Sequence, residues 1–232
     1  MKNIFSPEGK LWRILNTVTD IFGLSVIWLF CCLPIVTIGP ATTALYDSVV
    51  RCIRYQQAGP YKRFFRTFRA DLGTSILSTV LWLFVLGFGF WSLALLRAMG
   101  EENSRTALMA SAAYYVIMVM PCGAACWCFP VLSRFIYKWK DLNLTALKLS
   151  VGYLPRSVVL VLLTGQVAVL CVNYIFPVFF APACLMLLWS LFIEPVFTKL
   201  GGTTKVKFLG IDEKGRWNVS RKEALKELGL DK

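Results

Sequence analysis

Residues 31–51, CCLPIVTIGPATTALYDSVVR, decide the fold, because an apolar run stops there at Gly39-Pro40 and a half-polar segment follows. Three interpretations compete for this stretch. It is a buried strand meeting a turn, a signal peptide with a cleavage site near Ala44, or a membrane span reaching water. Which of the three is right depends on the residues on either side.

The flanking sequence favours the membrane span. The arm before it, residues 1–20, contains Glu8 and Asp20, unlike the short basic start of a signal peptide. A strand fits poorly in a chain with several other long apolar runs. We therefore expect a first span over residues 21–38, kinked at Pro34 and ended by the Gly-Pro pair on the cytoplasmic side.

The composition of the chain indicates a membrane protein. Of its 232 residues, 57% are hydrophobic and 16% charged, whereas soluble domains average about 45–50% and about 25%. A helix needs roughly 20 apolar residues to cross a hydrocarbon core about 30 Å thick. Four long uncharged apolar runs in one chain therefore argue against a soluble α protein with buried helices. The runs without any charged side chain are 21–38, 72–96, 107–132 and 157–193.

The last run is too long for one span and is expected to turn near Pro177, which has no backbone N–H to donate. Five spans then leave 20 Lys and Arg on one side of the membrane and five on the other. This bias predicts a cytoplasmic C-terminus and an external N-terminus. The predicted fold is an all-α, polytopic membrane helix bundle with spans at 21–38, 72–96, 107–132, 157–174 and 177–194.

Two amphipathic segments are expected as short helices on the cytoplasmic face. In residues 44–57, Leu45, Val49 and Ile53 share one helical face, and Asp47, Arg51 and Arg54 lie on another.

Residues 61–72 combine an apolar stripe with flanking cations, a pattern typical of a membrane interface. Two interpretations stay open: a cap whose cations only fix topology, or a docking surface for a partner or an anionic lipid. The stripe and its cations are Phe64, Phe65 and Phe68 with Lys62, Arg63, Arg66 and Arg69.

The tail, residues 199–232, is polar and begins with a flexible joint at Gly201-Gly202. Ser220 and Glu223 have the spacing of a capping box, which predicts a short helix through Leu228. The tail is too small for a catalytic domain.

The spans offer little chemistry. Their interiors contain no ionisable side chain, and Glu194 is expected at a span end that reaches water. The only strongly polar interior candidates are Gln166 and Asn173. The chain has no histidine, and Cys122, Cys126 and Cys128 are expected to be small buried thiols rather than a metal cluster. We therefore expect no catalytic residue, no metal site and no cofactor.

The net charge of +12 does not indicate nucleic-acid binding, because the basic residues lie between and after the spans, where membrane orientation requires them. The partners considered are the lipid bilayer, a transporter and further copies of the chain.

Several motifs resemble, in order, those of the YesL family. They are LPIVTIGPATTALY at 33–46, FFRTF at 64–68, FPVLSRF at 129–135, LPR at 154–156 and PVF at 195–197. The resemblance implies a small integral protein of the bacterial cell membrane, without known biochemical function, associated with carbohydrate uptake and polysaccharide degradation. It supplies no catalytic residues, and it does not extend into the tail.

The leading expectation is therefore a non-enzymatic accessory protein of a sugar-uptake system, with ABC-type transporter components as partners. The alternative is a small-solute transporter in its own right. The two differ in one feature, because a transporter needs a polar cavity near the middle of the bilayer, whereas an accessory protein can pack its core dry.

Overall fold

A computed structural model describes residues 10–70, 72–99, 105–135, 137–174 and 176–201. The described chain is almost entirely helical and contains no strand, which confirms the all-α prediction. The α-helices are α1 Lys10–Cys31, α2 Ile38–Ser48, α3 Pro60–Ala70, α4 Leu72–Met99, α5 Arg105–Arg134, α6 Trp139–Gly152, α7 Leu154–Asn173 and α8 Ala181–Gly201. Shorter turns of helix are the 3₁₀ segments Ile35–Thr37 and Phe176–Phe179 and the π-helix Val49–Arg54.

Four of the described helices, α4, α5, α7 and α8, are long and apolar enough to cross a membrane. The apolar part of α1, Leu15–Cys31, is shorter. Only 22% of the most apolar window of α4 and 11% of that of α7 are buried, so most of their apolar side chains face outward. Such surfaces suit lipid, because hydrocarbon imposes no penalty on exposed apolar groups.

The first break in the chain differs from the prediction. Helix α1 ends at Cys31, ahead of Pro34, and Gly39 and Pro40 lie in the first turn of α2. The expectations that Gly39-Pro40 ends the first helix and that Pro34 kinks it are therefore wrong. Proline is tolerated in the first turn of a helix, where its missing N–H costs no hydrogen bond, so Pro40 starts a helix here.

Helix α2 is the centre of the bundle and packs against α1, α3, α4, α5 and α8. Every residue from 39 to 53 is buried. At Gly39 the neighbouring helices come so close that a Cβ atom would lie 1.9 Å from Thr79 Oγ1 and 2.6 Å from the Phe129 ring. Glycine is therefore required there by the close approach of α4 and α5.

Two of the three residues of the expected polar face of 44–57 are also not at the surface, whereas the third, Arg54, is exposed. The side chains of Asp47 and Arg51 are buried, at 3% and 6% exposure, alongside the apolar Leu45 and Val49. The two side chains can be buried because the carboxylate of Asp47 and the guanidinium of Arg51 neutralise each other within the protein, without contact with water. Past the π-helix, the chain turns through Gly59, whose φ of +82° favours glycine, and enters α3.

Candidate functional site: a buried ion-pair network

Two buried carboxylates organise the site. Asp47 lies on α2 and Glu194 on α8, and both are at most 6% exposed. Since an isolated buried charge is very costly, each must be matched by cations and hydrogen-bond donors.

Asp47 joins α2 to α3. Its Oδ1 lies 2.6 Å from Arg51 Nε, one turn along the chain. Its Oδ2 accepts hydrogen bonds from Arg63 Nε at 3.1 Å and from Thr67 Oγ1 at 2.9 Å. Burial lowers the pKa of Arg63, and the charge of Asp47 opposes that shift. One carboxylate thus fixes the rotation of α3 about its own axis.

Glu194 joins α8 to α5 and α2. Its Oε1 accepts hydrogen bonds from Arg134 Nε at 2.9 Å and Nη2 at 2.6 Å, and from the Tyr46 hydroxyl at 3.3 Å. Arg134 is fully buried, and its guanidinium lies 5.9 Å from the centroid of the Tyr46 ring.

These positions correct the expectation that Glu194 reaches water at a span end. Glu194 is 6% exposed, and Arg134 closes α5 inside the protein rather than lying in a loop. Because Tyr46 and Asp47 are adjacent on α2, the two carboxylate clusters form one network that ties four helices together. A further tie comes from Arg54 Nη1, which donates to the backbone oxygen of Ser190 at 2.8 Å and to its Oγ at 2.9 Å.

The predicted docking residues of α3 separate into two groups. Phe64 is fully buried and stacks on Phe68 with 6.2 Å between ring centroids, while Arg63 is held by Asp47. Phe64 and Phe68 of the stripe therefore pack against the protein itself, and Phe65 does not. The side chains left exposed are Lys62, Phe65, Arg66 and Arg69.

The two predicted intramembrane polar residues do not meet in the interior. Gln166 and Asn173 are both exposed on α7, and Asn173 Nδ2 donates to the backbone oxygen of Val169 at 2.8 Å in its own helix. The described part of α7 thus directs its strongest polar groups away from the bundle.

Cys52, in the π-helix, lies near Asp20 and Asp47. Its pKa is raised to about 11, first by burial and then by these two negative charges. All eight cysteines are free thiols. Within the described ranges, no group of three Cys, Asp or Glu residues is placed to hold a metal ion.

Residues 21–93 match the model of a family described as "Protein of unknown function, DUF624". No curated protein and no solved structure matches the chain. The matched range contains α2, α3 and Asp47 with its three partners, and ends before Arg134 and Glu194. The apolar helices indicate a membrane protein, the match adds a family of unknown function over part of the chain, and the name YesL stays a resemblance.

Sequence reasoning missed the network because its members are distant in the chain. Tyr46 and Glu194 are separated by 148 positions, and Arg134 and Glu194 by 60. The one available signal was an acid and a base near the ends of two predicted spans, Glu194 and Arg134. Chemically, the network can neutralise charge and fix helices.

Proposed function

We propose that this chain is a non-enzymatic accessory protein of the bacterial cell membrane, which docks a partner through the exposed cations of α3. The observation that carries the proposal is that α3 is anchored on one side and basic on the other. Phe64 lies in the core and Asp47 holds Arg63 and Thr67, whereas Lys62, Arg66 and Arg69 face outward.

An anchored helix is well suited to recognition, because little conformational freedom of its backbone is lost when a partner binds. Its three outward cations favour a partner with an acidic surface, and charge complementarity speeds the encounter. The positive-charge bias supports a cytoplasmic position for this face. The resemblance to YesL proteins supports a carbohydrate transporter as the partner.

A transporter in its own right is the second candidate, and one observation favours it. Arg134 and Glu194 lie in helices that are long enough to span, and ionisable residues in such helices often mark solute or proton pathways. The outward position of Gln166 and Asn173 argues against a transporter, because these polar residues then do not line a cavity near the middle of the bilayer.

The test is recovery of partners from native membranes by a tagged chain. The double variant Arg66→Glu/Arg69→Glu reverses two exposed cations and leaves Phe64 and Arg63 in place. We expect its partner recovery to fall at least several-fold at unchanged expression. The matched control, Lys138→Glu/Lys140→Glu, makes the same charge change at two other exposed positions and should keep its partners.

If both double variants recover the same partners in the same amounts, the docking role is contradicted. The α3 cations would then only set the topology of the chain. Solute uptake by purified chain in proteoliposomes, lost in Arg134→Met/Glu194→Met, would instead favour the transporter.

A further inference from the structure

Helices α1 and α2 form an antiparallel hairpin. Trp28 Nε1 of α1 donates to Thr42 Oγ1 of α2 at 3.4 Å, close to the turn. Farther from the turn, the Tyr61 hydroxyl of α3 lies close to the carboxylate of Asp20 on α1 and interacts with it. Asp47 on α2 holds Arg63, only two residues beyond Tyr61. Asp20 and Asp47 therefore lie at the same, open end of the hairpin.

Two further observations agree with this placement. A Cβ atom at Gly23 would lie 2.4 Å from the Tyr61 hydroxyl, so α1 passes directly beside the start of α3. The charges of both Asp20 and Asp47 reach Cys52, which lies at the end of α2's continuation into the π-helix.

Between these two acids, residues 21–46 contain no charged side chain. At about 1.5 Å per residue, the stretch from 21 to 31 rises about 15 Å and that from 38 to 46 about 12 Å. Each arm is thus roughly half the thickness of a hydrocarbon core of about 30 Å. The uncharged part of each arm is long enough to reach the middle of a bilayer and too short to cross it.

The tip of the hairpin is apolar and exposed. Leu33 is 75% exposed and Ile35 63%, and Pro34 and Val36 are exposed beside them. Four neighbouring exposed apolar side chains at a turn are costly in water and suited to lipid.

The tip also satisfies many of its own backbone groups, as hydrocarbon requires. The Thr37 hydroxyl donates to the Cys31 oxygen at 2.6 Å and to the Pro34 oxygen at 2.7 Å. The amides of Leu33 and Thr37 are bonded within the turn, at 3.3 Å and 2.9 Å. Pro34 has no N–H to satisfy.

We propose that the α1–α2 hairpin is re-entrant: it enters the bilayer from one side, places Leu33–Val36 among lipid acyl chains, and returns to the same side. The N-terminus then shares a side with residues 55–59, so α4, α5, α7 and α8 are the membrane crossings. The charge bias agrees, because Lys2, Lys10 and Arg13 join the basic side. Between the spans, only Arg97 and Arg105 then remain on the other side.

The test is the sidedness of two epitope tags in the full chain, one at the N-terminus and one inserted after Ala58. In sealed vesicles, added protease should remove both tags or protect both. A tag inserted between residues 100 and 104 is the control and should behave oppositely. Opposite behaviour of the N-terminal and Ala58 tags would show that α1 crosses the bilayer and would overturn the proposal.

A depth measurement locates the tip. Spin labels are attached at Leu33→Cys and, as the control, at Ala58→Cys, in a chain whose native cysteines are replaced. At position 33 we expect oxygen to broaden the signal more than a water-soluble nickel complex does, and the reverse at position 58. Dominance of the nickel complex at position 33 would place the tip in water and contradict the proposal.

Discussion

Arg134 donates two hydrogen bonds to the same oxygen of Glu194, at 2.9 and 2.6 Å, and its own side chain is entirely buried. Charge-assisted bonds of this kind are short and strong, but both ions have lost their hydration. The net contribution of the pair to the free energy of unfolding is therefore smaller than the destabilisation caused by removing only one of its members.

Removing one member of this pair should destabilise the protein strongly. We expect Arg134→Met and Glu194→Met each to cost about 3–5 kcal/mol, because each leaves an uncompensated buried charge. The double variant should be closer to the parent protein than either single variant. Unfolding in detergent, measured for all four proteins of the cycle, gives the coupling directly. Additive losses would show that the two side chains do not interact energetically.

Asp47→Asn should loosen α3 from the bundle. The variant keeps the size of the side chain but loses the charge that faces Arg51 and Arg63. We expect faster proteolytic cleavage between residues 55 and 59 and weaker partner recovery. Asp141→Asn, at an exposed position, is the matched control and should resemble the parent. Equal cleavage rates in both variants would mean that Phe64 alone holds α3.

Gly39→Ala should be destabilising by about 1–3 kcal/mol, since the new methyl group overlaps Thr79 and Phe129 and forces the helices apart. The matched control is Gly73→Ala in α4, where a Cβ atom meets nothing within 4 Å. There, alanine should be neutral or stabilising by up to about 1 kcal/mol through helix propensity. Thermal unfolding of both variants in the same detergent distinguishes steric overlap from a general effect of glycine replacement.

Cys52 should resist alkylation near neutral pH. A thiol whose pKa is raised to about 11 is almost entirely protonated at pH 8, and only the thiolate reacts. We expect the iodoacetamide rate, followed by peptide mass spectrometry, to climb between pH 9 and pH 11 in the folded protein. In the unfolded chain the rise should come near the ordinary thiol pKa of about 8.5. Identical pH profiles for the two states would contradict the raised pKa.

The helices that face lipid were predictable from sequence. Most of the side chains of α4 and α7 are apolar on every face of the helix. A run of about 20 apolar residues without charge can be recognised directly in the sequence. Helix α3 was predictable from its periodicity. Its orientation was not, because Phe64 could face lipid or protein equally well until α2 was placed beside it.

The site was not predictable, because its chemistry depends on partners that only the fold brings together. A pattern with Asp47 and Arg51 opposite Leu45 and Val49 ordinarily means a helix with one face in water. Here Asp47 pairs with Arg51 along the chain and with Arg63 from α3, and these ion pairs allow the whole turn to be buried. The end of α1 was predicted wrongly for a related reason. Gly39 is required by the close approach of Thr79 and Phe129 on neighbouring helices and does not end its own helix.

The central position of α2 has a consequence for biogenesis. The segment is translated early, yet four of the helices that bury it, α3, α4, α5 and α8, emerge from the ribosome after it. Until they are inserted, Gly39 has no α4 or α5 to pack against, and Asp47 lacks Arg63. Helix α8, the last of the described helices to be made, supplies Glu194, the counter-ion of Arg134. Assembly of the core must therefore follow synthesis of nearly the whole chain. In a nascent chain stalled before α8, α2 is not fully packed and Arg134 has no Glu194 to pair with.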